Sequence, residues 1–168
     1  ADDPSDGLKM LLSKRATFIT RLVMDIFDEK SAGSFYHAYR IVDLLVRFFP
    51  LEVLTALTSD GNLEERIMSM LRHLGCPPVA ELMAMLVSLP SVSRDTELYA
   101  SVAQARIEFI AELQEMDLLS KLVDVVVTPE AVCTATTEVP LEVHSQFACQ
   151  LLQEVVEKLS VEYEGAGM

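Results

Sequence analysis

The chain has 168 residues, of which 51% are hydrophobic, and a formal net charge of −13. Phosphate backbones and anionic membrane surfaces are bound by proteins with basic surfaces, and this chain is strongly acidic. Nucleic acid and membrane are therefore predicted not to be partners. The high hydrophobic content predicts a folded protein rather than a disordered one. The absence of Trp and the abundance of Leu, Val, Ala and Met favour packing of helix on helix.

The charge is unevenly distributed along the chain. Residues 1–107 carry 11 Lys and Arg against 14 Asp and Glu, whereas residues 108–168 carry 2 against 12. Two interpretations of the acidic C-terminal third stay open. It is either an ordinary solvated face or an acidic surface that selects a basic partner.

Three features of the sequence bear on its cellular context. The cysteines Cys76, Cys133 and Cys149 are odd in number and form no CxxC pair, which is typical of a reducing compartment. The N-terminal residues resemble no signal peptide, and no apolar run reaches the ~18 residues of a membrane span. We therefore expect the cytoplasm, with the nucleus as the alternative. Because the chain begins at Ala1 rather than Met, we also expect a fragment of a longer helical solenoid.

The first predicted helix covers residues 8–27 and follows a flexible tail at residues 1–7. Its apolar residues recur at helical spacing. Thr17 and Phe18 are poor helix formers, so a break is predicted within residues 13–17. Residues 28–34 are predicted to form a turn.

The most hydrophobic predicted helix covers residues 35–49. Arg40, Asp43 and Arg47 fall at i, i+3 and i+7 and form one narrow polar stripe, in which Asp43 and Arg47 can pair. Because the helix is apolar on nearly all other sides, it is predicted to lie in the centre of a helix stack. The stripe is either a solvated face or a ladder that lines a groove for a protein partner. Its three residues are the candidate interaction residues.

A short helix at residues 51–57 precedes the sharpest pattern in the chain, a helical hairpin at residues 63–89. Asn62 and Glu65 are predicted to form a capping box at its start. Gly75 is predicted to end the first helix in a left-handed conformation, and Pro77 suits the first turn of the second helix. Four methionines of the hairpin are predicted to fill the core, with an adaptable binding groove as the alternative. They are Met68, Met70, Met83 and Met85.

The remaining residues continue the helical pattern and complete the predicted architecture. The predicted segments are a loop at 90–95, helices at 96–114 and 116–127, a loop at 128–139, a final helix at 140–162 and a flexible tail at 163–168. The β-branched end of the 116–127 segment has strand-like content, but Leu118, Leu122 and Val125 are in helical phase. The sequence thus predicts one all-α domain at residues 8–162. It is an irregular armadillo/HEAT-like stack of about seven or eight helices paired as αα-hairpins.

No motif of known catalytic chemistry occurs in the sequence. There is no HExxH, GxSxG, Walker or GxGxxG pattern, and the histidines His37, His73 and His144 are far apart. His73 and Cys76 at i, i+3 would need two more ligands to hold a tetrahedral metal, and none is near them in sequence. The alternative is a structural turn. The sequence therefore predicts a protein that is not an enzyme, with no cofactor and no metal.

Three segments, taken in order, resemble the SAPS-domain family. The run at residues 71–89 is similar to the family's L-x-H-[IL]-G element, with a departure at residues 76–78 where the family has small non-proline residues. Residues 109–129 resemble its following helix-turn-helix, and residues 144–157 the helix after that. The resemblance covers about residues 35–157, although upstream of residue 71 only the order of apolar residues fits.

SAPS-domain proteins are helical-repeat regulatory subunits of type-2A-like serine/threonine protein phosphatases, and their domain is longer than this chain. The resemblance implies a scaffold fragment whose partner is a phosphatase catalytic subunit, and it carries over no catalytic residue. Two alternatives remain at this point. One is a generic armadillo/HEAT-like module that binds another protein or peptide, and the other is a small helical enzyme or ligand-binding bundle with a deep pocket and clustered titratable groups.

Overall fold

The computed structural model describes residues 4–28, 33–89 and 97–166, with side chains at 6–28, 33–89 and 97–158. All regular secondary structure within these ranges is helical, which confirms the predicted all-α class. The elements are α1 (Pro4–Met24), a 3₁₀ turn (Asp25–Phe27), α2 (Phe35–Phe48), α3 (Pro50–Thr58), α4 (Leu63–Leu71), α5 (Pro77–Val87), α6 (Tyr99–Glu115), α7 (Leu118–Val127), α8 (Pro129–Val132) and α9 (Leu141–Ala166). The strand-like end of residues 116–127 is helical, as predicted. Part of the predicted loop at 128–139 forms the short helix α8.

Several predicted segments lie wholly or partly outside the described residues. These are the loop at 90–95, most of the turn at 28–34, and the outer parts of the tails at 1–7 and 163–168. Residues 4–7 belong to α1, and residues 163–166 belong to α9.

The helices pack in two rows that share neighbours. In one row α1 packs on α3 and α3 packs on α6, and in the other α2 packs on α5, α5 on α9 and α9 on α7. Contacts of α2 with both α1 and α3 connect the rows at the N-terminal end. The two helices of the predicted 63–89 hairpin both exist, but α5 packs chiefly on α2 and α9, and α4 packs on the 3₁₀ turn.

Helix α1 is continuous through residues 13–17, so the predicted break is wrong. Its buried face is formed by Ala16, Thr20 and Met24 rather than by its leucines. The Thr20 hydroxyl donates to the Ala16 carbonyl at 2.7 Å, which satisfies the one polar side chain on that face. Tertiary burial of this face overrides the weak local propensity for helix.

Helix α2 is a surface helix, so the prediction that it lies in the centre of the stack is wrong. Only Ala38, Val42 and Val46 are buried, and they form one face at i, i+4 and i+8. The Ser34 side chain accepts the His37 backbone N–H and caps the start of the helix. The opposite face remains exposed and apolar. Hydrophobicity alone predicted burial on all sides, but one face of small and β-branched residues is enough for α2 to pack on α5, α1 and α3.

Asp60 connects α1, α3 and α4. Its carboxylate accepts two hydrogen bonds from Arg66, at 2.7 and 2.5 Å, and lies 3.5 Å from Arg21 Nε. These cations and hydrogen bonds hold the pKa of Asp60 at about 2, with the bond to Arg66 as the largest cause. Asp60 Oδ1 also accepts the backbone N–H of Asn62 at 3.1 Å. Because a capping box would need that same N–H for Glu65, the predicted box does not form and Asn62 makes no side-chain cap.

The methionine prediction is confirmed. Met70 and Met83 are fully buried, and Met68 and Met85 are half-buried against the same core. This core continues through the inward faces of α6, α7 and α9, where Phe109 and Leu113 are its largest buried side chains on α6. The unbranched methionine chains fill the space around the corner between α4 and α5.

Candidate interaction surface

The predicted stripe on α2 forms on the surface, and its three residues make different contacts. Arg47 Nη2 lies 3.1 Å from Asp43 Oδ2, which confirms the predicted i, i+4 pair. The Arg47 side chain is 66% exposed and that of Asp43 is 25% exposed, so the pair is largely solvated. Such a pair adds little to stability. Its cationic end remains available to another molecule.

Arg40 is held by an aromatic residue one turn earlier on α2. Its Nη1 donates to the Tyr36 hydroxyl at 3.0 Å, and its guanidinium carbon lies 5.8 Å from the centre of the Tyr36 ring. The hydrogen bond to Tyr36 is the main cause that raises the pKa of Arg40 above its usual value. Like any arginine it is cationic at physiological pH, and the contact with Tyr36 orients it on the exposed side of α2.

Asp43, the third residue of the stripe, acts on the neighbouring Tyr39 hydroxyl. Burial raises the pKa of the Tyr39 hydroxyl, and the carboxylates of Asp43 and Glu81 raise it further. Glu81 belongs to α5, so carboxylates from both helices act on the same phenol.

Large apolar side chains surround the cationic edge. Tyr36, Ile41, Leu44 and Phe48 are all exposed, Phe48 by 66%. Single exposed hydrophobic residues are common on proteins, but a contiguous patch with cations beside it is typical of an interaction site. The sequence pattern did not indicate this patch, because a helix that is apolar on nearly all sides was predicted to lie in the interior.

The corner between α4 and α5 is a buried structural junction. Gly75 N–H donates to His144 Nδ1 at 2.8 Å, so Nδ1 is unprotonated. The other ring nitrogen, Nε2, lies 3.2 Å from the carbonyl of Thr134 and therefore carries the proton. Burial lowers the pKa of His144, which is 1% exposed. The neutral ring ties α9 to this corner and to the loop that precedes α9.

Gly75 is required at this corner for space and not for its backbone angles. Among the described residues only Gly61 and Asp117 have a positive φ, so the predicted left-handed Gly75 is wrong. A Cβ at Gly75 would lie 2.6 Å from Val139 Cγ1 and 3.0 Å from His144 Nδ1. The prediction that this corner needs a glycine was therefore correct, but the reason is the close approach of His144, which lies 69 residues later in the chain.

The same corner accounts for His73 and Cys76. The His73 ring lies 4.8 Å from the Phe35 ring, and Phe35 stacks on Phe27 at 5.4 Å, so an aromatic cluster joins the corner to α2 and the 3₁₀ turn. Cys76 is the residue before α5, and burial raises the pKa of its thiol. No group of three or more His, Cys, Asp or Glu side chains in the described part of the chain could hold a metal ion.

Three surface crevices accompany these elements. One of about 150 Å³ lies between α5 and α9, one of about 310 Å³ between α1 and α2, and one of about 410 Å³ between the start of α4 and the end of α6. All three open to solvent. None of the helices in the described ranges has the length and hydropathy needed to cross a membrane.

Comparisons with known proteins do not extend this picture. No family model, no curated protein and no solved structure matches the chain. The SAPS resemblance therefore remains a prediction from the three sequence segments.

Proposed function

We propose that this protein is a non-enzymatic helical scaffold of the armadillo/HEAT-like type, which binds another protein through the exposed face of α2. The arrangement in two rows supports the scaffold part of the proposal. In α-solenoids each unit packs chiefly on its neighbours, and α1–α3–α6 and α2–α5–α9 follow that rule. The proposed assembly has short and irregular units, with α4 and α8 as the irregular members.

The observation that carries the binding role is the composition of the exposed α2 face. It combines two arginines, Arg40 and Arg47, with four large exposed apolar side chains. Arginine and aromatic residues are enriched where protein interfaces gain most of their binding energy. Asp43 holds Arg47 in place, and Tyr36 holds Arg40, so both cations are ordered before a partner arrives. Ordering in the free protein lowers the entropic cost of binding.

We propose a serine/threonine phosphatase catalytic subunit of the type-2A-like group as the partner. The support for this identity is the ordered resemblance of three segments to SAPS-domain regulatory subunits, and no catalytic role is assigned to this chain. The alternative is a generic armadillo/HEAT-like module whose α2 face binds an acidic, apolar peptide of an unrelated protein.

The test measures binding of a purified type-2A-like catalytic subunit to the wild-type chain and to the double variant Arg40→Glu, Arg47→Glu. We expect saturable binding by the wild type and at least a tenfold loss in the variant. Lys158→Glu is the matched control, because Lys158 is an exposed cation on α9 far along the chain, and it should bind like the wild type. Absence of binding by the wild type would refute the phosphatase assignment. Equal binding by the wild type and the double variant would refute the role of α2.

A further inference from the structure

Helix α1 presents an exposed row of large side chains at heptad spacing. Leu8, Leu11, Phe18 and Leu22 are 53–61% exposed. With Arg15 between Leu11 and Phe18, the row advances by alternating steps of three and four residues, as the a and d positions of a coiled coil do. The row lies on the side of α1 away from the buried residues described above, and we call it the α1 seam.

The width and length of the α1 seam suit a single facing helix. A row confined to a and d positions is narrower than the apolar face of a helix that lies on a membrane. The next position of the series is Asp25, which belongs to the 3₁₀ turn, so the seam ends at Leu22. From Leu8 to Leu22 it covers about four turns of helix. A helix of a second molecule can pack along this length by inserting its own side chains between those of the seam.

The middle of the α1 seam is cationic. Arg15 and its neighbour Lys14 are exposed, and neither forms an ion pair or a hydrogen bond with another described residue. The acids near this part of α1 lie on its other side, where Glu52 of α3 accepts a hydrogen bond from Ser13 Oγ at 2.7 Å and where Asp6 precedes Ser13 by two turns. A helix that covers the seam must therefore supply a carboxylate to Arg15, because a buried charge without a partner is costly.

A second copy of the chain does not supply that carboxylate. Two seams packed in parallel would place Arg15 against Arg15, and two antiparallel seams would place Arg15 among leucine and phenylalanine side chains. Like charges in contact, or a charge without a partner, disfavour both pairs. The charge of the seam thus selects a helix of different sequence.

We propose that the α1 seam binds an acidic amphipathic helix of a partner protein, which is apolar at the matching positions and carries a carboxylate facing Arg15. The apolar contacts supply the burial, and the pair with Arg15 sets the register and the choice of partner. This inference goes beyond the proposed function, since it depends neither on α2 nor on a phosphatase.

The test uses two labelled synthetic peptides of three heptads, which differ only at the central a position. Both have leucine at the other a and d positions and glutamine at e and g; the acidic probe has Glu at the central position and the basic probe has Lys. Fluorescence anisotropy measures their binding to the whole chain. We expect saturable binding of the acidic probe, at least tenfold tighter than that of the basic probe. Failure of the wild type to bind the acidic probe, or equal affinity for the two probes, would overturn the proposal.

Arg15→Glu gives the decisive result. The variant should prefer the basic probe, because the charge that faces the central position is reversed while the apolar contacts are kept. A variant that still prefers the acidic probe would show that the preference arises elsewhere on the protein, and the assignment of Arg15 would be wrong.

Two double variants test the apolar part of the seam. Leu11→Gln with Phe18→Gln changes only exposed side chains, so folding should survive, and this variant should lose at least tenfold in affinity for the acidic probe. The matched control is Leu119→Gln with Val123→Gln, which removes two exposed apolar side chains of α7 and should bind like the wild type. An equal loss in both double variants would overturn the role of the seam. Circular dichroism of each variant shows whether its helices are retained.

The other possible occupants are a second copy and a membrane. Sedimentation velocity of the chain alone tests the first, and flotation with vesicles of phosphatidylserine and phosphatidylcholine tests the second. We expect neither self-association nor vesicle binding through the seam. A dimer, or binding to vesicles, that is present in the wild type and lost in Leu11→Gln with Phe18→Gln would assign the seam to that occupant and overturn the proposal.

Discussion

Gly75→Ala tests the junction on which α4, α5 and α9 converge. The added Cβ would lie 2.6 Å from Val139 Cγ1 and 3.0 Å from His144 Nδ1. Contacts of that kind in a packed site cost about 1–3 kcal/mol, because neighbours must leave their preferred positions. The shift also weakens the bond from Gly75 N–H to His144 Nδ1, and the loss of a typical hydrogen bond costs about 1 kcal/mol.

One effect acts in the opposite direction. Alanine restricts the unfolded chain more than glycine does, which stabilises the folded state by about 0.4–1 kcal/mol where the backbone angles suit it. The net expectation for Gly75→Ala is a loss of about 1–3 kcal/mol in the free energy of unfolding. For a domain of this size each kcal/mol lowers Tm by about 2–4 °C.

Urea unfolding followed by far-UV circular dichroism measures this difference, with Gly7→Ala as the control. Gly7 lies inside α1 with nothing within 4 Å of its added Cβ, so alanine there should stabilise the protein by about 0.5–1 kcal/mol. Val139→Ala in the Gly75→Ala background should restore part of the loss, since Val139 is the nearest obstacle. If Gly75→Ala is as stable as the wild type, or if Val139→Ala restores nothing, the steric account of this corner is wrong.

Three further predictions follow from titratable groups. Because the pKa of His144 is lowered below 6.5, the free energy of unfolding should be constant above pH 6.5 and fall as pH drops from 6.5 through the folded pKa. That decline should be absent in His144→Gln, and its persistence there would contradict the assigned role of His144 in the junction. Asp60→Asn should lower the free energy of unfolding by about 1–2 kcal/mol at neutral pH, and this difference from the wild type should disappear as pH falls from 3.8 to about 2. Equal stability of the variant and the wild type at pH 7 would refute the assigned network. A thiol-specific disulfide reagent should label exposed Cys149 first, and Cys133, whose pKa burial raises to about 11, only after unfolding; equal rates for all three thiols would show that the corner is open.

Signals that act within one or two turns of helix were predictable from the sequence. The prolines at the starts of α3 and α5 mark real helix starts, and the phase of Leu118 and Leu122 correctly outweighed the β-branched end of α7. The Asp43–Arg47 pair is also local, and it formed as spaced. Each of these depends on neighbours that the same short segment supplies.

Features that depend on distant contacts were not predictable in the same way. The capping box at Asn62 failed because Asp60, drawn toward Arg66 and Arg21, already accepts the N–H that the box would use. The glycine at position 75 was assigned to a left-handed turn, although its cause is the approach of Val139 and His144. No periodicity within residues 63–89 contains that information, since both residues belong to segments more than 60 positions later.

The same limit explains why the candidate surfaces were missed. A helical pattern shows which apolar residues share a face, but it does not show which of two apolar faces is covered. Helix α1 has one face of Ala16, Thr20 and Met24 and another that includes Leu11 and Leu22, and the structure buries the first. Ala16 and Thr20 are small enough to let α1 pack closely on its neighbours, and the leucines of the other face are left at the surface. Because exposing large apolar groups to water is unfavourable, a helix that leaves a face of large apolar side chains exposed indicates a surface suited to a second molecule.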